Sequence, residues 1–338
     1  MPGPRIAVDA MGGDFAPREV IAGAVAAVRE LDVSVILVGP ADQITAEAHR
    51  VAGGRLTESL SIVDTPEFIS MDAAPREALR RMPRASVKMA AEMVARGEAD
   101  GFYSLGHTGA TVLAAHAAFG MLEGAERPAI AVLVPTLDGS AVLLDTGATL
   151  DCRPVHLRSF GVMGAAYAKI ALGIDRPRVG LLSVGEEAGK GTELVREAHR
   201  LLSASGLNFV GNLEARDFFS GRADVIVCDG FTGNVALKVG EGLVDAMEVL
   251  LKKELAKSLT ARLGGRLAKA AFMRVRDRAD AAEYGGAPLL GLKGLALVGH
   301  GRSKARAVRS GIATAARLAE GQLVSRLGDA LRDPANVW

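Results

Sequence analysis

RIAVDAMGGDFAPREVIAGAVAAVRE (residues 5–30) is the stretch on which the fold turns. An apolar run of strand length, RIAVD (5–9), ends in a polar glycine-rich turn, DAMGGD (9–14), and a helical pattern follows. Val20, Ile21, Ala24, Val25 and Val28 recur at helical spacing and form one apolar face. Strand, turn and helix in that order open a βαβ unit, and the pattern recurs along the chain. Further strand candidates are VSVILV (33–38), LSIVD (60–64), DGFYS (100–104), AIAVLV (129–134), 141–145, 179–183, 224–228 and 295–299. Apolar helical faces follow at Leu194, Val195, Ala198, Leu201 and Leu202, and at Ala305, Val308, Ile312, Ala316, Ala319 and Leu323. The alternation predicts an α/β fold, a largely parallel sheet with helices on both faces. No repeat, low-complexity stretch or linker interrupts it, so 1–338 reads as a single large α/β domain.

Composition narrows the classes. The 338 residues carry 40 Lys plus Arg against 39 Asp plus Glu, a net charge of +1 that gives no global steering toward nucleic acid. With Trp 1, Tyr 3 and Phe 10, aromatics are too few for a base-stacking reader. The only cysteines, Cys152 and Cys228, exclude a disulfide framework and a cysteine-held metal cluster. The opening residues lack a signal-peptide pattern, and no run approaches the ~18 apolar residues of a spanning helix. A soluble cytoplasmic protein is expected.

Five strand candidates run into glycine-rich turns: DAMGGD (9–14), SLGHTGA (104–110), SVGEEAGKGTE (183–193), DGFTGN (229–234) and GHGRSK (299–304). In a parallel sheet such turns share the edge where ligands bind. Glycine lets backbone N–H groups approach closely, and helix N-termini carry positive partial charge, which suits phosphate or another small oxyanion. Standard nucleotide and hydrolase motifs fail. GEEAGKGT (185–192) is one residue short of a P-loop between its glycines and has Gly191 where the magnesium-binding hydroxyl belongs. The first turn is not G-x-G-x-x-G, Ser104 and Ser183 lack a nucleophile elbow, and no H-E-x-x-H occurs.

The turns and their neighbours, IAVDAMGGDFAP, RPAIA (127–131), LLDTGA (143–148), VGLLSVGEEAGKGTEL, FVGNLEARDFFSG (209–221), VIVCDGFTGNVALK (225–238), EYGGAPLLGLKG (283–294) and the HG turn at His300, cover nearly the whole chain. Together they resemble the bacterial phosphate acyltransferase family, the acyl-acyl carrier protein:phosphate transacylases of phospholipid synthesis. The chain departs from the family pattern at His107 and Thr149, where Asn is usual, and at Arg302, where Ser is usual. The resemblance implies an α/β/α sandwich similar to phosphotransacetylases and isocitrate-dehydrogenase-like enzymes. It implies that inorganic phosphate attacks the thioester of a long-chain acyl-acyl carrier protein, giving acyl phosphate and free carrier. A membrane acyltransferase would then pass the acyl group to glycerol 3-phosphate. A homodimer without cofactor or metal is expected. A nicotinamide-dependent dehydrogenase on a related fold and a non-catalytic carrier-protein or membrane adaptor are the alternatives.

Phosphate is already a nucleophile and a thiolate leaves readily, so the chemistry needs positioning, an oxyanion site and exclusion of water. Lys190, between Gly189 and Gly191 just before a helix start, is the expected phosphate contact. Thr232, Gly233 and Asn234 open the next helix as donors to phosphate or oxyanion, with N-capping by Asn234 the bland alternative. His300 is a candidate to protonate the departing sulfur or to bond a phosphate oxygen. Asp9 and Asp229 end strands and either orient these groups or cap turns. Gly12, Gly13, Thr108, Gly109 and Ser303 complete the expected substrate-binding turns, while Glu186 and Glu187 take no role. Cys228 reads as a buried small hydrophobe.

One segment stands apart. Residues 250–278 carry nine cations against Glu254 and Asp277, a local +7 in a chain of +1. Leu251, Leu255, Leu259, Leu263 and Leu267 recur every four residues, and Gly264 and Gly265 are expected to break this basic projection into two helices. It suits a solvated excursion, a dimer contact, an acidic carrier protein or an anionic membrane.

Overall fold

Alternation along one strand organises the molecule. In β1 (Arg5–Asp9), Ile6 and Val8 point into one buried core and Ala7 into another, so the strand is covered on both faces. The computed structural model describes residues 3–53, 57–279 and 285–333; for 275–279 only the backbone is described. Glu283 and Tyr284 of the EYGG motif, and the side chains of Arg276, Asp277 and Arg278, therefore lie outside the described residues.

The strands after β1 are β2 (Ser34–Gly39), β3 (Leu60–Asp64), β4 (Gly101–Ser104), β5 (Ala129–Ile130), β6 (Val132–Thr136) and β7 (Gly139–Leu144). Then come β8 (Val179–Leu182), β9 (Phe209–Leu213), β10 (Val225–Val227), β11 (Ala287–Leu290) and β12 (Ala296–Val298). They form two sheets, where the sequence suggested one. The first has the order β3-β2-β1-β4-β12-β11-β5 and the second β6-β7-β10-β8-β9. Both are largely parallel. Only β11 and β6 run against their neighbours. AIAVLV is not one strand: it changes sheets at Ala131, β5 pairing with β11 and β6 with β7. β9 and β11 were not legible as strands, because Gly211, Asn212 and Pro288 interrupt their apolar runs.

The helices are α1 (Arg18–Glu30), α2 (Ala41–Ala52), α3 (Pro75–Arg81), α4 (Ser86–Ala95), α5 (Thr108–Phe119) and α6 (Pro154–Leu172). After them come α7 (Glu193–Ser203), α8 (Gly230–Ala256), α9 (Leu259–Leu267), α10 (Lys269–Ala279), α11 (Ala305–Glu320) and α12 (Leu323–Arg332). Helices α1 and α11 cover one face of the first sheet, and α4 and α5 the other. Leu323 is not part of the α11 face: the helix stops at Glu320, and left-handed Gln322 starts α12. Nor do Gly264 and Gly265 break the basic segment. Both lie inside α9, and the breaks fall at Ser258, whose Oγ accepts the Ala261 amide 3.1 Å away and caps α9, and at Ala268, before α10.

Helix α6 is mostly buried and joins the second sheet to the shared core. A Cβ at Gly164 would lie 2.5 Å from Val225 Cγ1 and 2.8 Å from Leu144 Cδ2. Replacing a helical glycine by alanine normally gains about 0.5–1 kcal/mol, whereas overpacking costs about 1–3 kcal/mol. Gly164→Ala is therefore expected to destabilise by about 1–2 kcal/mol, read as a lower urea midpoint at constant m. An unchanged or raised midpoint would mean the α6 contact has slack.

Candidate active site

Sheet order decides which turns meet. Because β1, β4 and β12 are neighbours, the turns at 9–14, 104–110 and 299–304 gather at one parallel edge. Their backbones touch. A Cβ on Gly12 would lie 2.6 Å from the Gly106 amide nitrogen, and the Asp14 amide donates to the Gly301 carbonyl at 2.8 Å. Asp9 is buried beneath them. It accepts the Ser86 hydroxyl at 2.7 Å, the Ser104 hydroxyl at 2.8 Å and the Met11 amide at 3.3 Å. Burial pushes its carboxyl above the ordinary value, and the two serine bonds oppose the shift. Asp9 thus holds turns and faces serines. Ser86 had no signal in the sequence, since it lies 77 residues away.

This first rim carries His300, Ser303, Gly13, Thr108 and Gly109. His300 and Thr108 are exposed and Ser303 is half-buried. The Arg302 amide donates to His300 Nδ1 at 3.3 Å. In neutral His300 that acceptor role leaves the ring proton on Nε2. The Gly109 amide is committed to His107 Nδ1 at 3.0 Å, so His107 caps α5 as an asparagine would.

A second rim follows from the order β7-β10-β8, which brings 145–149, 229–234 and 183–193 to the parallel edge of the second sheet. Asp229, not Asn234, caps α8: its carboxylate accepts the Thr232 amide at 2.9 Å and the Thr232 hydroxyl at 2.7 Å. The Asn234 amide instead donates to the Thr146 carbonyl at 3.1 Å. Gly233 permits this contact between turns, since a Cβ there would fall 1.9 Å from the Asp145 carbonyl oxygen. Cys228 is buried, and desolvation pushes its thiol up.

Asp145, in the LLDTGA turn but not among the residues singled out from sequence, is the junction. Its side chain accepts the amides of Ile130 at 2.8 Å, Gly147 at 3.1 Å, Ala148 at 3.0 Å and Thr149 at 2.6 Å. Ile130 ends β5 of the first sheet and Asp145 follows β7 of the second. The two sheets are therefore joined at this seam.

Lys190 stands exposed in the turn after β8, with Gly189 open beside it and Gly191 at φ +93°. Its ammonium has no hydrogen-bond or ion-pair partner among the described residues. Glu186 is occupied by Arg216 at 3.5 Å and Arg222 at 2.9 Å. At the base of the same turn the Ser183 hydroxyl is buried without a hydrogen-bond partner among the described residues. An unpaired buried hydroxyl costs about 1–3 kcal/mol, so a hydrogen bond from it to a bound oxygen would be favourable. Its position at a strand end inside a glycine-rich turn was the available signal. No group of three or more metal-ligating side chains occurs among the described residues.

This architecture matches solved proteins. A phosphotransacetylase from Streptococcus pyogenes superposes with a TM-score of 0.65 at 20% identity, covering 94% of both chains. A branched-chain phosphotransacylase from Enterococcus faecalis gives a TM-score of 0.54 at 14% identity, covering 94% of this chain and 99% of that one. The fold is that of the phosphotransacylases. A family described as "fatty acid synthesis protein" matches residues 4–326. The phosphate acyltransferase of Pelotomaculum thermopropionicum is 48% identical over 320 residues, 95% of this chain and 93% of that protein. That of Desulforudis audaxviator is 47% identical over 329 residues, 97% and 96% of the two chains. The chain belongs to the phosphate acyltransferase family of fatty acid synthesis proteins and is an acyltransferase.

Proposed function

We propose that this acyltransferase moves a long-chain acyl group from acyl-acyl carrier protein to inorganic phosphate. The observation that carries this reading is the turn after β8, where an unpaired lysine accompanies an orphan buried hydroxyl. Lys190 holds phosphate and the Ser183 hydroxyl bonds one of its oxygens. A phosphate oxygen attacks the thioester carbonyl, the tetrahedral oxyanion collapses, and the C–S bond breaks. His300 Nε2–H donates a hydrogen bond to the departing thiolate, which takes up the proton that monohydrogen phosphate loses on forming the acyl phosphate. The turn backbones at Gly12, Gly13, Thr108, Gly109, Gly189, Gly191, Thr232 and Gly233, with Ser303, surround the reacting groups, and Asp9, Asp229 and Asn234 hold the turns. The seam at Ile130 and Asp145, which fixes the two sheets against each other, supports one shared reacting centre.

Purified protein given acyl-acyl carrier protein is expected to release thiol only when phosphate is present, and to form no acyl-enzyme. Phosphate-independent release, or a covalent acyl-protein that phosphate then cleaves, would overturn the direct displacement.

Two surfaces support an assembly around this chemistry. Phe231, Val235, Val239, Leu243 and Met247 recur every four residues along α8, all exposed, the face a second copy would cover in a homodimer. Leu259, Leu263 and Leu267 on α9 are 60–81% exposed within the basic segment. No helix among the described residues is long and apolar enough to cross a membrane. The basic segment touches the anionic inner face of the cell membrane, where each cation contributes up to ~1 kcal/mol and leucines insert. The acyl phosphate is handed there to the membrane acyltransferase that acylates glycerol 3-phosphate. Replacing the three leucines by serine is expected to abolish co-sedimentation with anionic vesicles while thiol release continues. Retained vesicle binding would remove α9 from the membrane contact.

A further inference from the structure

The segment between β3 and α4 walls the first rim. The Met71 Cε lies 2.8 Å from where a Cβ on Gly301 would stand, and the Pro75 Cγ 3.1 Å from the same point on Gly109. The segment therefore bridges the turns after β4 and β12, with α3 beginning on the rim itself. Between residues 74 and 88 five cations, Arg76, Arg80, Arg81, Arg84 and Lys88, face a single carboxylate, Glu77. Asp72 and Glu67 lie just before, and the Glu67 carboxylate is engaged by the Arg84 amide at 2.8 Å.

The four arginines are exposed. Glu77 pairs with Arg81 at 2.6 Å, and the Arg84 guanidinium reaches the Asp64 carbonyl at 3.3 Å. Arg76 and Arg80 hold no partner among the described residues. They sit four apart on α3 and so share a face. Buried Ala78 anchors the opposite side. The result is a preformed cationic face at the lip of the reacting centre.

We infer that this face, Arg76, Arg80 and Arg81 on α3, is where an acidic carrier protein docks to present its thioester. The inference rests on the carrier-protein reading above. Charge complementarity selects the partner: guanidinium forks pair bidentately with carboxylates, and arginine suits protein interfaces where lysine does not. A membrane is the poorer fit, because α3 offers no exposed leucine stripe of the kind α9 carries. The position suits delivery as well. A carrier held at the lip puts its flexible arm over the first rim, whereas the basic segment begins 20 residues along α8 from its N-terminus at Gly230.

The test compares two thioesters on one protein, acyl-acyl carrier protein and the small acyl-pantetheine, which lacks the carrier body. In Arg76→Glu/Arg80→Glu/Arg81→Glu, kcat/KM for the carrier thioester is expected to fall about 10-fold or more at low ionic strength, through KM. Turnover of acyl-pantetheine stays at the wild-type level, and the salt dependence of the carrier reaction flattens. Equal kcat/KM for the carrier thioester in variant and wild type would overturn the docking site alone. So would loss of anionic-vesicle binding with carrier kinetics intact, which would assign the face to lipid. A wild-type protein that uses neither thioester would sink the carrier-protein reading and the inference with it. If the triple reversal also loses acyl-pantetheine turnover, Arg76→Gln/Arg80→Gln replaces it. A carrier-specific fall of about threefold or more is then expected, and no fall overturns the proposal.

Discussion

Lys190→Ala is expected to lower kcat/KM toward phosphate by about 10²–10³ and to leave the KM for the thioester nearly unchanged. The lysine is exposed and unpaired among the described residues, so its removal takes no contact from the folded core. Stability should move by no more than about 0.5 kcal/mol. If Lys190 holds the phosphate dianion, the loss appears in catalysis, because the guanidinium at the turn, that of Arg196, is bonded to the Gly191 carbonyl at 2.9 Å. Lys190→Arg is expected to recover part of the loss, since charge survives while the compact ammonium does not. Steady-state kinetics with each substrate varied in turn make the measurement. Equal losses for both substrates, or none, would remove Lys190 from the phosphate contact. Ser183→Ala is the companion: if its hydroxyl bonds a phosphate oxygen, phosphate KM rises while the protein stays folded.

The largest effect on stability is expected at Asp145. Four backbone amides donate to its side chain, one of them, Ile130, from the other sheet. Asp145→Ala leaves all four without their acceptor in a buried setting, and each such loss costs about 1–3 kcal/mol. Even with water satisfying some of them, the total should exceed about 4 kcal/mol, in the range reserved for broken buried networks. Desolvation raises the Asp145 pKa, yet the four bonds act against the shift. Asp145→Asn keeps one oxygen for the Ile130, Gly147 and Ala148 amides and turns an NH2 toward the Thr149 amide. It should lose about 2 kcal/mol, roughly half the alanine penalty. Urea unfolding of both variants gives the comparison. A drop of less than about 1 kcal/mol in Asp145→Ala would show that the seam is held by something else.

Most strands of the two sheets were legible because their residues are apolar and β-branched and bounded by turn residues. Arg5–Asp9 and Leu60–Asp64 fall where the pattern put them. So did α1, whose apolar face at Val20, Ile21, Ala24 and Val25 is buried. β9 and β11 escaped because pairing, not propensity, makes them strands. The leucine repeat of the basic segment was visible, but its break was misjudged: Ser258 caps the start of a new helix, while the two glycines lie inside it.

What the sequence by itself determined is everything encoded within a dozen residues: the βα alternation, the glycine turns that end strands, the lysine between Gly189 and Gly191 and the motifs shared with relatives. Tertiary structure alone decided which turns meet. Nothing local in DAMGGD says that β4 will lie beside β1 and β12 beside β4, or that Ser86 will reach Asp9 across 77 residues. Nor does AIAVLV reveal that its halves serve different sheets, since local propensity is the same in both and only the hydrogen-bond partners differ. Strand order is set by non-local hydrogen bonding and by burial on both faces, energies that exist only once distant segments are in contact.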